Sequence, residues 1–300
     1  MSFTLAALIA LPAAVMFFGT LRWNTRARLA AWMICSAVVA LSPTLIDVTN
    51  QFTATQRLLA ALLSITLLVE LYDTLQYPDR FIARGFRFYV LHLLNCLWLV
   101  IRREPPPRAQ ATDVAQCALA AILSCAAAAM FLGMFSMNWT FAPFVIEHSL
   151  KVATVFALLM PVAALGSAAW RLFIGSAWDA MDAPILARAP AEFWRRWNIP
   201  AQQFFAEYVF ASAGGTHHPV RATLFTFFVS GAIHEYVFGI ATGRFQGWQM
   251  LFFLVQGAAV ALTSRWRPRG GMAITLAFNL TTSVWFFRSV AAAVPFYTKR

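Results

Sequence analysis

Eight stretches of this sequence are apolar over roughly the length of a membrane crossing: residues 3–20, 29–46, 58–72, 114–137, 152–170, 222–241, 248–264 and 272–295. A hydrocarbon layer about 30 Å thick takes roughly 20 residues of helix. Inside it every backbone N–H and C=O must be satisfied within the segment. The chain is therefore expected to be all-α, a multi-pass transmembrane helical protein of about 8–9 spans. Composition sets the ceiling. Hydrophobic residues are 60% of the 300 and charged ones 12%, against about 25% charged in soluble domains. At about 20 residues per crossing, that allows roughly nine spans. One membrane-embedded domain over residues 1–300 is expected. Soluble globular, disordered and disulfide-rich secreted classes do not fit.

The ninth run, 88–101, is short and holds His92 and Asn95. If it crosses, Arg102, Arg103 and Arg108 fall opposite Arg80, Arg84 and Arg87. If it only dips into the bilayer, both clusters share a side with most of the chain's 23 basic residues. The second topology obeys the positive-inside rule far better. Eight crossings, both termini outside, and a re-entrant or in-plane piece near 88–101 are expected. The net charge of +11 is then an orientation signal in short loops, and nucleic acid is not an expected partner. Cys35, Cys96, Cys117 and Cys125 make no CxxC or zinc spacing and read as small buried hydrophobes. Residues 1–20 lack a basic n-region, so a cleaved signal peptide is not expected. The location expected is a bacterial inner membrane, or the endoplasmic reticulum if the source is eukaryotic.

The connection 171–221 is neither apolar enough to span nor polar enough to be a free loop. Asp179, Asp182, Glu192, Arg195 and Arg196 alternate there with Phe173, Trp178, Phe193, Trp194 and Trp197. That mix suits elements at the interface, with rings at headgroup depth. Pro190 can start a short helix through Trp197. Pro200 disfavours helical geometry at Ile199 and can start a second helix through Ala211. Asn198 then lies at the break, where its amide can project inward, because irregular backbone at membrane depth is tolerated only in protein or against a cavity.

Chemistry concentrates on the run 222–241. His234 stands roughly 18 Å along it, past the middle of the bilayer. An ionisable group at that depth is costly, and a functional site is the default reading. The competing reading is a structural histidine bridging two helices. Ser230, one turn earlier, shares the face of His234. Glu235 points about 100° away, towards another helix. Gly231 lets a neighbour or substrate approach closely. Metal chemistry has little support: His234-Glu235-Tyr236-Val237-Phe238 begins like HExxH but ends in Phe, and the adjacent His217 and His218 cannot readily share one tetrahedral ion. Glu70 and Asp73 share a face near a span end, with snorkelling to the interface as the plain reading. His92 and Asn95 either line a cavity or cap a turn. His148, before a span, is expected at the interface.

Three stretches in order carry a resemblance. They are Glu192-Phe193-Trp194-Arg195-Arg196-Trp197-Asn198, then Phe228-Val229-Ser230-Gly231-Ala232-Ile233-His234-Glu235, then Phe252-Phe253-Leu254-Val255-Gln256-Gly257. Together they resemble the membrane-bound O-acyltransferase (MBOAT) superfamily and its wax synthase-like branch. Asn198 and His234 lie 36 residues apart, similar to the family's spacing. Arg195 stands where plant relatives often have Gly, and Gln256 where they often have His.

The resemblance implies transfer of an acyl group from acyl-CoA, a co-substrate rather than a bound cofactor, to a hydroxyl of a lipophilic or small-molecule acceptor. It implies a tunnel through the membrane, His234 as general base, and Asn198 orienting the thioester or the acceptor. Ser230, Glu235, Trp194 and Trp197 would support that site. Arg195 and Arg196 would face the CoA phosphates, or simply anchor the topology. Neither a metal nor a cofactor is expected. The rival readings are a transporter or channel with His234, Glu235 and Asn198 along its pathway, and a non-catalytic partner in an export or assembly system.

Overall fold

The computed structural model describes residues 3–101, 105–266 and 268–298, with Gln51 described in its backbone only. Arg102 and Arg103, part of the charge argument above, lie outside the described residues. Among the described residues the regular elements are helices: α1 (Phe3–Met16), α2 (Thr25–Leu41), α3 (Gln51–Gln76), α4 (Pro78–Leu93), α5 (Thr112–Ser136), α6 (Phe144–Ile174), α7 (Pro190–Arg196), α8 (Ile199–Phe204), α9 (Pro219–Thr242), α10 (Trp248–Thr263) and α11 (Gly271–Ala293).

Among the described residues, six helices are long and apolar enough to cross a membrane: α1 and α2 with their 3₁₀ extensions, α3, α5, α6 and α9. The eight expected crossings are not all reached on these grounds. Run 248–264 folds as the 16-residue α10. Run 272–295 folds as the 23-residue α11, in which Asn279, Thr281, Thr282, Ser283 and Arg288 dilute the apolar content. Run 88–101 is not one helix: α4 ends at Leu93, and the chain turns through Asn95.

The apolar surface is turned outward as a lipid-facing protein requires. On α5 only Asp113, Ala120 and Ala127 are buried, while Val114, Leu119, Ile122 and Leu132 are exposed. Inside, Phe17, Leu67, Leu71, Phe81 and Tyr89 join α1–α4 in one cluster. The Tyr89 hydroxyl donates to the Ala14 carbonyl at 2.6 Å, which satisfies its polar tip. α5 pairs with α6, α9 with α10, and α3 lies along α9.

Several expectations change. Glu70 and Asp73 do not snorkel: both are fully buried. The apolar run stops at Tyr72, but the helix continues to Gln76 before Pro78, so these carboxyl groups sit inside it. Asp73 accepts from the Tyr208 hydroxyl and from Ile101 N–H at 3.1 Å. His92 is buried with its Nε2 3.9 Å from Asp73. Asn95 caps a turn, accepting from Leu97 N–H at 3.1 Å. His148, near the start of α6, is buried against α11 and the C-terminal segment, 2.7 Å from the Tyr297 hydroxyl and 3.0 Å from the Leu280 carbonyl. The four cysteines are free, and none is buried; Cys96 and Cys125 are exposed.

Arg171 gathers α5, α6 and the connection that follows. It donates to Asp113 at 2.9 Å, Asp179 at 2.7 Å and Gln116 at 3.3 Å. Arg171→Ala strands the buried Asp113 carboxylate, and removing one partner of a buried pair costs about 3 kcal/mol or more. The expected result is a clear fall in the thermal midpoint of the detergent-purified protein. An unchanged midpoint would show that Arg171 carries no stability.

The connection 171–221 divides as its prolines direct. Pro190 opens α7. Pro200 stands in the first turn of α8, which continues as a π-helix over Phe205–Phe210. The break falls at Asn198, in the left-handed region with φ 42°, a conformation that Asn tolerates better than most residues.

Candidate active site

His234 lies on α9 between two other helices. Its ring packs 4.2 Å from that of Phe253 on α10 and 6.2 Å from that of Phe286 on α11. Nδ1 is 2.8 Å from the Ser230 carbonyl, one turn back. A carbonyl only accepts, so Nδ1 must carry the proton. Nε2 is then the unprotonated nitrogen of the neutral ring, and no hydrogen bond occupies it among the described residues. The side chain is partly exposed. A single free lone pair is thus held in a wall of aromatic rings.

α9 and α10 come close enough to build this wall because of glycine. A Cβ on Gly231 would stand 3.0 Å from Met250 Sδ and 3.2 Å from Phe253 Cβ. A Cβ on Gly257 would stand 2.6 Å from Phe227 Cβ. The neighbour that Gly231 admits is α10 itself.

Glu235 does point to another helix, as its 100° offset requires, and there it caps the start of α10. Oε1 accepts from Gln246 N–H at 2.6 Å and Gly247 N–H at 2.5 Å; Oε2 accepts from Gln249 N–H at 3.1 Å and Met250 N–H at 3.4 Å. These include the orphan donors of a helix N-terminus, where negative charge is also favoured by the macrodipole. Glu235 thus sets the position of α10, and so of Phe253 against His234.

Trp194 on α7 belongs to the same aromatic cluster, with ring centroids 5.3 Å from Phe227 and 5.7 Å from Phe253. Its indole N–H donates to Gln256 Oε1 at 2.9 Å, and Gln256 Nε2 donates to Thr282 at 2.8 Å. Gln256 is fully buried. This relay joins α7, α10 and α11, a link for which the sequence offered only the unusual Gln256. Gln256→Leu leaves the indole N–H unpaired and should cost about 1–3 kcal/mol. Thermal unfolding of the purified variant measures it, and no loss would show that the relay is slack.

The other expected site residues are arranged differently. Trp197 stacks on Phe193 at 5.6 Å and packs on Phe156 at 5.3 Å. Arg196 donates to Glu192 at 2.8 Å and lies 3.7 Å from Asp182. Arg195 is exposed and donates, at 3.4 Å, to the Ala191 carbonyl of its own helix. Asn198 is exposed rather than turned inward, and its side-chain oxygen accepts from Ala201 N–H at 3.4 Å, capping α8. No hydrogen bond or ring contact joins Asn198 to His234 among the described residues. The link between that region and α9 runs instead through the π-helix Phe205–Phe210, which packs on α9.

A multi-helix membrane protein with a free imidazole nitrogen on a spanning helix, walled by aromatic rings from two further helices, is the class that fold and site define. Residues 107–294 match the model of the MBOAT, membrane-bound O-acyltransferase family. The chain belongs to that family.

Among curated proteins it is similar to the Saccharomyces cerevisiae protein named sterol O-acyltransferase 1, 36% identical over 110 residues, which is 36% of this chain and 17% of that one. The Arabidopsis thaliana acyl-CoA–sterol O-acyltransferase 1 is 32% identical over 124 residues, 35% of this chain and 36% of that one. Also similar is the Arabidopsis protein named probable long-chain-alcohol O-fatty-acyltransferase 2, 34% identical over 129 residues, with 35% and 36% covered. The matched part thus spans about a sixth of the yeast relative and about a third of the plant ones. The resemblance read from the three motifs, including its wax synthase-like side, is borne out.

Proposed function

We propose that this chain transfers an acyl group from a thioester, acyl-CoA, to the hydroxyl of a lipophilic acceptor, with His234 as general base. The observation that carries the reading is the free Nε2 of His234, fixed by the Nδ1 bond to Ser230. In the step, Nε2 takes the hydroxyl proton as the alcohol oxygen attacks the thioester carbonyl carbon. The tetrahedral centre collapses, the C–S bond breaks, and the thiolate leaves with the proton from His234. The products are an ester and free CoA, and neutral imidazole is restored. Imidazole suits both halves because its proton affinity lies near working pH. The rings of Phe253 and Phe286 beside the imidazole make its surroundings apolar, which disfavours water, a competing nucleophile.

Asn198, whose Nδ2 makes no hydrogen bond among the described residues, is assigned to orienting the acyl donor. The exposed Arg195 is assigned to its phosphates, since a guanidinium pairs well with phosphate oxygens. The relatives named for sterols and long-chain alcohols support a lipophilic acceptor. The test is incubation of the purified protein in lipid nanodiscs with radiolabelled palmitoyl-CoA and either hexadecanol or a sterol. Labelled ester above the no-protein background is expected. Hydrolysis to free palmitate alone would overturn transfer to an alcohol.

A further inference from the structure

A cleft of about 790 Å³ lies where α9 begins, away from His234. One end is polar, formed by His217, His218 and Arg221; the trough is apolar, formed on α9 and α10 by Phe225, Phe228 and Leu254 among others. No lining residue is acidic. Phe225, Phe228 and Leu254 are 44%, 48% and 41% exposed, so the trough opens on the side that a spanning helix turns to lipid.

The cationic end is built rather than incidental. Arg221 Nε donates to the Ala213 carbonyl at 2.9 Å. Gly214, at φ +110°, leaves room for the guanidinium, since a Cβ there would stand 2.7 Å from Arg221 Nη2. No carboxylate pairs with Arg221 among the described residues, so its outer N–H groups are free. Such a fork matches the oxygens of a phosphate. The charge distribution of the sequence puts this end of α9 on the cytoplasmic side, where anionic headgroups collect.

We propose that this cleft binds one anionic phospholipid of the surrounding bilayer. Its phosphate lies on Arg221 with His217 and His218 as further donors, and an acyl chain lies along Phe225, Phe228 and Leu254. The commitment to lipid follows from the paired ends: a soluble phosphate would leave the trough empty, and a neutral or zwitterionic lipid would leave the unpaired guanidinium unused.

Native mass spectrometry of the full chain tests this, after equilibration in mixed micelles with equal phosphatidylglycerol and phosphatidylcholine. Wild type is expected to retain about fivefold more phosphatidylglycerol, the preference that one basic residue at a headgroup supplies, and Arg221→Gln to bring the two lipids near parity. Leu254→Trp fills the trough without touching the cations and is expected to reduce both lipids, which keeps the test sound if Arg221→Gln misfolds. Equal retention by wild type, an unchanged preference in Arg221→Gln, or undiminished lipid in Leu254→Trp would overturn the proposal. So would displacement by glycerol phosphate, which would mark a soluble-phosphate site, or by palmitoyl-CoA, which would mark a donor site. Lipid retention is read without acyl transfer, so this proposal and the role of His234 fail separately.

Discussion

His234→Ala is expected to lower acyl transfer by about a thousandfold or more, at the upper part of the 10²–10⁴ range for loss of a general base. The reason is local. Among the described residues Nε2 is the one nitrogen of this ring without a hydrogen bond, and the Ser230 carbonyl, 2.8 Å from Nδ1, keeps Nε2 unprotonated. The imidazole also packs 4.2 Å from Phe253, so the truncation removes volume as well as a base. His234→Gln separates the two effects, since it restores bulk without a usable base. Both variants should elute as one species, and both should fail to form labelled ester. Full activity in either would end the assignment of His234 as base.

Glu235→Ala should have the largest effect on the fold. Its two oxygens accept from four backbone N–H groups at the start of α10. Stranding a buried donor costs about 1–3 kcal/mol, and here three of the bonds are part-buried and that of Gly247 is exposed. Partial rewetting of this end of the helix reduces the sum, and a loss of about 3–5 kcal/mol is expected, seen as a much lower thermal midpoint and little extractable protein. Glu235→Gln keeps one acceptor oxygen and loses the charge that favours a helix N-terminus. It should fall between wild type and Glu235→Ala in stability. Wild-type stability in Glu235→Ala would show that water replaces the carboxylate at no cost.

The parts of this fold legible in the sequence are those set by the chain's own periodicities and breakers. Apolar runs located α1–α3, α5, α6 and α9–α11, and Pro190 and Pro200 located α7 and α8 with the break at Asn198. Depth alone singled out His234. What was not legible depends on partners that letters do not label. The ligands of Glu235 are main-chain N–H groups, and the available hint was Gly247 just before an apolar run. Apolarity ends at Tyr72 and hides the burial of Glu70 and Asp73, whereas the true stop signal is Pro78. The relay through Gln256 needed three helices already in place. A break at membrane depth demands a partner, which favours an inward Asn198 amide, yet its side chain serves α8 itself.

The burial of Asp73 reaches further than its own helix. The family match begins at residue 107, yet α3 lies along α9. Asp73 accepts from the Tyr208 hydroxyl in the π-helix, and the Tyr236 hydroxyl, two residues from His234, donates to the Ala40 carbonyl at 2.5 Å. A shortened chain starting at residue 107 would keep all three sequence motifs and still lose the surface on which the histidine-bearing helix rests. The first hundred residues are thus the chassis of the site rather than an appendage to it.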